Sequence, residues 1–249
     1  SIMTKLEDCK YRFGFTGTLD GTQTNKLVLE GLFGPVKKVT STTELISQKH
    51  LSSFRIKAIV LQYPDPARKQ VFKYDYHQEI DYLVTLSNRN KFIKNLALSL
   101  EGNTLILYQF VEKHGKILYD NISKENKNVY YVSGEVGGEE REDIRHIVEK
   151  EQNSIIVASY GTFSTGTNIR NLHNIIFSSP SKSRVRNLQS IGRVLRTSEN
   201  KQEAILYDIA DDLTWKSRKN FTIQHFMERV QIYNEERFPY KIYNVSIEI

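Results

Sequence analysis

The sequence predicts an α/β domain with a doubly wound parallel sheet. Several short apolar segments lack the polar alternation of a half-exposed strand, which is typical of strands covered on both faces. Helical segments separate these strands, and right-handed crossovers then place helices on both faces of the sheet. No internal repeat or low-complexity tract interrupts this order. The expected strands are Thr104–Tyr108, Val129–Val132, Ser154–Ser159, Asn174–Ser178 and Glu203–Ile209.

The N-terminal part of the chain predicts shorter elements. The aromatic run Tyr11–Phe15 indicates a strand that leads into a turn. A helix follows and stops at Gly34, which precedes a proline. Ser41 and Glu44 have capping-box spacing before another short helix. Phe54–Tyr63 alternates as an extended strand, and prolines after it indicate a linker.

Helical periodicity dominates the rest of the chain between the strands. The expected helices are Arg89–Leu100, Lys113–Ser123 and Glu139–Lys150. The C-terminal part predicts an amphipathic helix over Phe221–Arg237 and a short strand over Tyr240–Ile247.

Composition and charge narrow the class of protein. The 249 residues carry 35 Lys+Arg against 29 Asp+Glu, a net charge of +6, which favours a polyanionic partner. The single cysteine, Cys9, excludes an internal disulfide and a cysteine-based zinc cluster. No apolar run approaches the roughly 18 residues of a membrane span. We therefore expect a cytoplasmic protein with no membrane partner.

The sharpest pattern is Gln189-Ser-Ile-Gly-Arg-Val-Leu-Arg196. On a helix, Gln189, Gly192, Arg193 and Arg196 share one face, whereas Leu188, Ile191 and Leu195 share another that suits the sheet. Two arginines with this spacing alone are typical of a solvated basic helix. The whole pattern, placed between two strands of an α/β domain, favours a functional helix over a solvated one.

This pattern resembles motif VI of superfamily 2 helicases, and other segments resemble further motifs in the family's order. Each of these segments alone is as compatible with an ordinary turn or strand end, but five ordered matches are specific. They are Thr16-Gly17-Thr18 for motif III, Thr104–Phe110 for motif IV, Ser133-Gly134 with Arg141 for the next motif, Ile155–Asn168 for motif V and Gln189–Arg196 for motif VI.

The resemblance covers nearly the whole chain and is strongest to phage recombination and branch-migration helicases. It implies a RecA-like fold of the type found in P-loop NTPases, with a short C-terminal extension. It also implies four parts. These are 1–35, a remnant of the first core domain with motif III; 36–80, the interdomain linker and the start of the second domain; 81–213, the C-terminal RecA-like domain; and 214–249, a C-terminal helix and strand.

The resemblance assigns roles residue by residue. Asn168 stands where many relatives have an aspartate, which leaves the ribose contact open. Catalysis at the γ-phosphate is implied for Arg193, Arg196 and Gln189, and nucleotide binding for Gly166, Asn168, Arg193 and Arg196. Contact with the nucleic-acid backbone is implied for Ser133, Gly134, Ser159 and Thr162. Coupling of the nucleotide state to the grip on nucleic acid is implied for Thr16, Gly17 and Thr18.

A phosphate-binding loop is missing from the sequence. The Gly115-Lys116 pair has Phe110 where a G-x-x-x-x-G-K-[ST] loop needs its first glycine. Ala204–Asp208 imitates a magnesium-binding strand, but its place after motif VI favours a structural strand end. We therefore expect no metal ligands in this chain. ATP and Mg²⁺ would be bound mainly by an N-terminal half that precedes Ser1, and the fragment alone would not hydrolyse ATP.

The implied function is the C-terminal motor domain of an ATP-dependent DNA helicase or translocase in recombination and repair. Expected partners are branched, forked or single-stranded DNA, R-loops, and the N-terminal helicase domain of the same protein, with a monomer as the working unit. If a phage encodes the chain, it acts in the host cytoplasm. Two alternatives stay open: a non-catalytic nucleic-acid-binding module with the same fold, and an unrelated flavodoxin-like or nucleotide-binding α/β domain.

Overall fold

The computed structural model describes residues 9–16, 23–164, 169–179, 183, 188, 190–192 and 203–249. Its centre is a seven-stranded sheet in which every neighbouring pair of strands is parallel. The strand order is β3-β4-β2-β5-β6-β1-β7. The strands are β1 (Ser53–Gln62), β2 (Thr104–Tyr108), β3 (Val129–Val132), β4 (Ile155–Ser159), β5 (Asn174–Phe177), β6 (Glu203–Asp212) and β7 (Tyr240–Ser246).

Helices connect the strands, as a parallel sheet requires. A π-helical turn, Val111–Gly115, directly precedes one of them. The helices are α1 (Gln23–Phe33), α2 (Thr42–Ser47), α3 (Asp65–Val71), α4 (Tyr76–Thr85), α5 (Ser87–Ser99), α6 (Lys116–Ser123), α7 (Gly138–Lys150), α8 (Tyr160–Ser164) and α9 (Phe221–Glu235).

The core lies on both faces of the sheet. Successive side chains of β2 alternate between two apolar clusters, with Leu105 and Leu107 on one face and Ile106 and Tyr108 on the other. Helices α3 to α6 cover the second face, whereas α7 and α9 cover the first. All five residues of β2 are buried. The absence of polar alternation in the sequence therefore has its physical cause in two covered faces.

The expected strands and most helices are confirmed, with ends that shift by a few residues. Ser41 and Glu44 form the expected capping box, and Gly34 ends α1 with a φ of 86°. The expected strand Tyr11–Phe15 is wrong, because this segment has no regular secondary structure. Within the described ranges it pairs with no strand of the sheet, and Phe15 is 96% exposed.

The sheet is wider than the segment 81–213. β1 lies between β6 and β7, so residues from 36–80 and from 214–249 both contribute strands. The expected boundaries at 81 and 213 therefore do not coincide with the edges of the sheet. The reason is that β1 and β7 pair with each other over Ile56–Gln62 and Tyr240–Ser246, a contact between distant parts of the chain.

Buried charges hold the C-terminal helix α9 against the sheet. The Arg229 guanidinium binds the Asp208 carboxylate, with Nε 2.9 Å from Oδ2, and the Tyr233 hydroxyl donates to the same oxygen at 2.8 Å. At the start of α9, the buried Glu79 carboxylate of α4 accepts hydrogen bonds from the backbone N–H groups of Phe221 and Thr222 at 2.9 and 2.7 Å. Among the described residues, no helix is long and apolar enough to cross a membrane.

Candidate nucleic-acid interface at the carboxyl edge of the sheet

Two of the predicted contact loops leave adjacent strands side by side. β3 and β4 are parallel neighbours in which Val132 lies opposite Ala158. Ser133 and Ser159 each follow these partners by one residue, so both lie at the carboxyl edge, about 4.8 Å apart in the strand-spacing direction. The fold thus brings together two segments that are separated by more than twenty residues in sequence.

Ser159 and Thr162 form a local hydroxyl pair at the start of α8. The Ser159 hydroxyl accepts a hydrogen bond from the Thr162 backbone N–H at 3.1 Å, and the two hydroxyl oxygens lie 2.7 Å apart. Ser159 is half-buried and Thr162 is buried. This geometry is a helix N-cap, and it fixes the turn that leads out of β4.

Ser133 and Gly134 begin the loop between β3 and α7. The Ser133 side chain is buried and its hydroxyl accepts from the Glu135 backbone N–H at 3.3 Å. Gly134 is exposed, and a Cβ added there would meet no atom within 4 Å. No side chain caps α7, and Glu139 and Glu140 lie in its first turn. Gly134 therefore leaves its backbone exposed, whereas the acidic first turn of α7 disfavours an anion.

The residues assigned to the nucleotide fall largely outside the described part of the chain. Of the coupling residues, Thr16 is described and exposed. The residues that lie outside the described part are Gln189, Arg193, Arg196, Gly166, Asn168, Gly17 and Thr18. The expected packing of the motif VI helix is confirmed at two positions, because Leu188 and Ile191 contact the first core cluster. Gly192 is exposed, in agreement with the expected outer face. The third apolar position, Leu195, also lies outside the described residues.

A buried ionic cluster that the sequence did not predict lies at the same edge, after β5 and β6. The Arg89 guanidinium binds both carboxylate oxygens of Asp211, at 2.8 and 3.0 Å, and donates to the Ser178 carbonyl at 2.9 Å. Burial alone lowers the pKa of Arg89, but the adjacent carboxylate outweighs it and raises the pKa above its usual value. Local sequence carries no signal for this role, because α5 also contains Lys91 and Lys94, and only the fold shows that Arg89 is fully buried.

Tyr63 and His114 complete this cluster. The Tyr63 hydroxyl donates to Asp211 at 2.7 Å, and burial together with that carboxylate raises the pKa of Tyr63. His114 Nδ1 lies 3.0 Å from the Ser179 hydroxyl oxygen. Burial, and secondarily the charge of Arg89, lowers the pKa of His114 well below its usual value. His114 is therefore neutral at physiological pH.

Two acidic residues of β6 have structural partners. Asp208 and Asp211 each bind a buried arginine. No group of three or more potential metal ligands occurs among the described residues. Gly115 is held by packing, since a Cβ there would collide with the ring of Tyr108. These contacts support the structural interpretation of Ala204–Asp208 and of the Gly115-Lys116 pair.

Comparisons with known proteins agree with this architecture. Residues 87–198 match the helicase conserved C-terminal domain, and the chain carries that domain. The chain is 35% identical to UvsW of Enterobacteria phage T4, an ATP-dependent DNA helicase, over 99% of this chain and 52% of UvsW. The crystal structure of T4 UvsW superposes with a TM-score of 0.68, covering 87% of this chain and 44% of that one.

More distant proteins share the fold. The type ISP restriction-modification enzyme LlaBIII bound to DNA has a TM-score of 0.62 at 15% identity, over 88% of this chain and 17% of that one. Dbp5 of S. cerevisiae bound to RNA and ADP BeF3 has a TM-score of 0.57 at 12% identity, over 93% and 50%. The RecA-like fold of helicase C-terminal domains is thus confirmed. The chain spans about half the length of UvsW and 37% of a putative helicase from a Sulfolobus islandicus filamentous virus.

Proposed function

We propose that this chain is the C-terminal motor domain of an ATP-dependent DNA helicase that acts on branched DNA or R-loops. The observation that supports this most directly is the pairing of two strand ends. Because of the register of β3 and β4, Ser133 and Ser159 lie next to each other. Gly134, the next residue after Ser133, is exposed to solvent. Contacts to backbone N–H and hydroxyl groups hold phosphates without reading bases, which suits a translocating motor.

The ATP step would use residues of the motif VI helix. Arg193 and Arg196 would stabilise the charge on the γ-phosphate, while Gln189 aligns the attacking water, and Gly166 and Asn168 would approach the nucleotide. Thr16, Gly17 and Thr18 would couple nucleotide state to DNA grip. The phosphate-binding loop and the Mg²⁺ ligands would come from the N-terminal helicase domain. Stabilisation by such an arginine is worth about 10³–10⁵ in rate.

Charge placed at the proposed DNA contact tests the binding half of this function. Gly134→Asp and Gly161→Asp add a carboxylate at positions where a side chain meets no atom within 4 Å. We expect each to weaken DNA binding about fivefold, since one unfavourable charge contact in water amounts to about 1 kcal/mol. Fluorescence anisotropy with labelled forked and single-stranded DNA measures this.

Gly31→Asp is the matched control for charge. Gly31 is an exposed position of α1 with equally open surroundings, and the substitution changes net charge by the same amount. Equal losses of affinity in all three variants would mean that only net charge matters, and they would contradict the proposed contact.

Substitution of Arg196 tests the motor half in a protein that has both halves. A chimera joins the part of T4 UvsW that precedes the aligned region to this chain. In it, we expect Arg196→Ala and Arg196→Lys to lower ATP turnover at least about 10³-fold, because an ammonium cannot reproduce the bidentate fork. DNA affinity and thermal stability should stay unchanged. Full turnover in both variants with unaltered stability would contradict the role proposed for Arg196. A chimera that shows no turnover before any substitution would favour the alternative, a non-catalytic nucleic-acid-binding module.

A further inference from the structure

A group of basic and aromatic residues lies at the other end of the carboxyl edge. α3 follows β1, and a tight turn over Trp215–Arg218 follows β6. β1 and β6 are parallel neighbours whose ends, Gln62 and Asp212, lie opposite each other. α3 and the turn therefore leave the same edge of the sheet as Ser133 and Ser159.

Aromatic rings contact two cations of this group. The Lys69 ammonium lies 4.9 Å from the centre of the Trp215 ring, and the Arg218 guanidinium lies 5.3 Å from the centre of the Phe72 ring. Arg218 Nη1 also donates to the Phe72 carbonyl at 2.7 Å, which joins the turn to the end of α3. The turn itself is closed by two backbone hydrogen bonds of 3.2 Å between Trp215 and Arg218.

The charge of the group is not neutralised within the described chain. The exposed cations, which we call the turn patch, are Lys69, Lys73, Lys216, Arg218 and Lys219. None of them forms an ion pair with a described carboxylate, whereas Lys94, Lys113 and Lys116 each do. Asp65, Asp75 and Asp212 are close to the patch in sequence, and Glu228 lines a groove together with Arg218 and Lys219.

We propose that the turn patch is a second contact for the phosphate backbone of nucleic acid. Cations over exposed aromatic faces are held by only about 0.5–1 kcal/mol, so a phosphate competes for them easily. The distance across the sheet from β4 to β6 is three strand spacings, or about 14 Å. The distance from β4 to β1 is four strand spacings, or about 19 Å. At about 3.4 Å per nucleotide step this corresponds to four to six steps. One bound strand could thus contact both ends of the edge.

The choice of nucleic acid as partner rests on the proposed function, so the test separates the two. Duplex and single-stranded oligonucleotides are titrated against the 249-residue chain at several salt concentrations. Trp215 is the single tryptophan of the sequence, so its fluorescence reports directly on the turn patch. We expect the fluorescence to change on binding of DNA, with the same midpoint as anisotropy.

A pair of double variants measures the contribution of the charges. Lys69→Ala with Lys216→Ala removes two cations of the turn patch and leaves the Arg218 contacts intact. Lys124→Ala with Lys127→Ala removes two exposed cations from the loop before β3, at the opposite edge. On duplex DNA, the slope of log affinity against log salt should fall by about 1.8 in the first variant and stay unchanged in the second.

Each result has a defined meaning. If DNA does not change the Trp215 fluorescence and the slope of log affinity against log salt is equal in both double variants, the turn patch is overturned. If Gly134→Asp still weakens DNA binding in that case, the proposed function stays intact. No DNA binding at any salt concentration would overturn both. Poly-glutamate that changes the Trp215 fluorescence as strongly as DNA, with DNA affinity unaffected by the Lys69 and Lys216 substitutions, would assign the patch to an acidic protein instead.

Discussion

The buried interior around β6 and the loops after β3 and β4 are built from different chemistry. Around β6, the interior holds ionised residues: Arg89 binds Asp211, and Arg229 binds Asp208, with almost no solvent exposure. After β3 and β4, the loops contain hydroxyls, glycines and backbone N–H groups. The first region stabilises the sheet, while the second leaves the exposed Gly134 and the half-buried Ser159 within reach of a ligand.

The difference follows from the free energy of burying charge. A buried ion must be paired, and the Arg89 and Arg229 guanidiniums are too deeply buried to reach an external phosphate. A hydroxyl that caps a short helix retains lone pairs, and a glycine without neighbours leaves its backbone open. Substitutions in the two regions should therefore affect different properties, stability around β6 and ligand affinity in the loops after β3 and β4.

The largest expected effect on stability comes from Arg89→Met. The substitution leaves the Asp211 carboxylate buried without its cation, and breaking such a pair costs about 3–5 kcal/mol. Urea denaturation followed by circular dichroism measures the loss. Arg145→Met is the control, because Arg145 pairs with Glu142 and Glu149 on the surface of α7, where we expect less than about 1 kcal/mol. Similar losses in both variants would contradict the comparison.

Glu79→Gln should cost about 2 kcal/mol. The carboxylate accepts two backbone N–H groups at the start of α9, and charged hydrogen bonds of this kind contribute about 1.5–3 kcal/mol. The amide keeps the shape but has one acceptor oxygen. Glu44→Gln, in the exposed capping box of α2, should cost about 0.5 kcal/mol in the same urea assay. Equal losses in the free energy of unfolding for Glu79→Gln and Glu44→Gln would show that burial of the capping carboxylate does not matter.

His114 predicts a dependence of stability on pH. Its pKa in the folded protein lies well below the unfolded value of 6.5, so the unfolded state binds the proton more readily. Its contribution is complete above pH 6.5 and decreases as the pH falls below it, by at most about 1.4 kcal/mol per unit. In His114→Gln, this part of the slope between pH 6.5 and 5 should vanish.

Ser159→Ala should have a small effect on stability, about 1 kcal/mol or less. The substitution removes the hydrogen bond to the Thr162 backbone N–H, which is the loss of one helix cap. The DNA affinity of Ser159→Ala should also fall. The DNA affinity of Arg89→Met, measured under conditions where that variant is folded, should stay unchanged. A loss of several kcal/mol with unchanged DNA affinity would place Ser159 among the structural residues instead.

Sequence patterns predicted elements well where the pattern and the physical cause are local. The buried strands β2 and β3 begin and end where the apolar runs do, and the capping box at Ser41 needs residues only three apart. The strand expected over Tyr11–Phe15 failed because aromatic composition does not supply a neighbouring strand. The ordered helicase motifs also came from sequence, because they are local strings whose order along the chain is fixed.

The sequence by itself determined the class of fold, the resemblance to helicase C-terminal domains and the identity of the residues proposed to contact ATP and DNA. Only the tertiary structure decided which distant segments meet: β1 with β7, Arg89 with Asp211, Glu79 with the start of α9, and Lys69 with Trp215. Local sequence carries propensity and periodicity, whereas these contacts depend on strand order and register across the sheet. The same charged residue can be exposed to solvent in one strand order and buried beside a counter-ion in another. Its role is therefore known only once its neighbours in the fold are known.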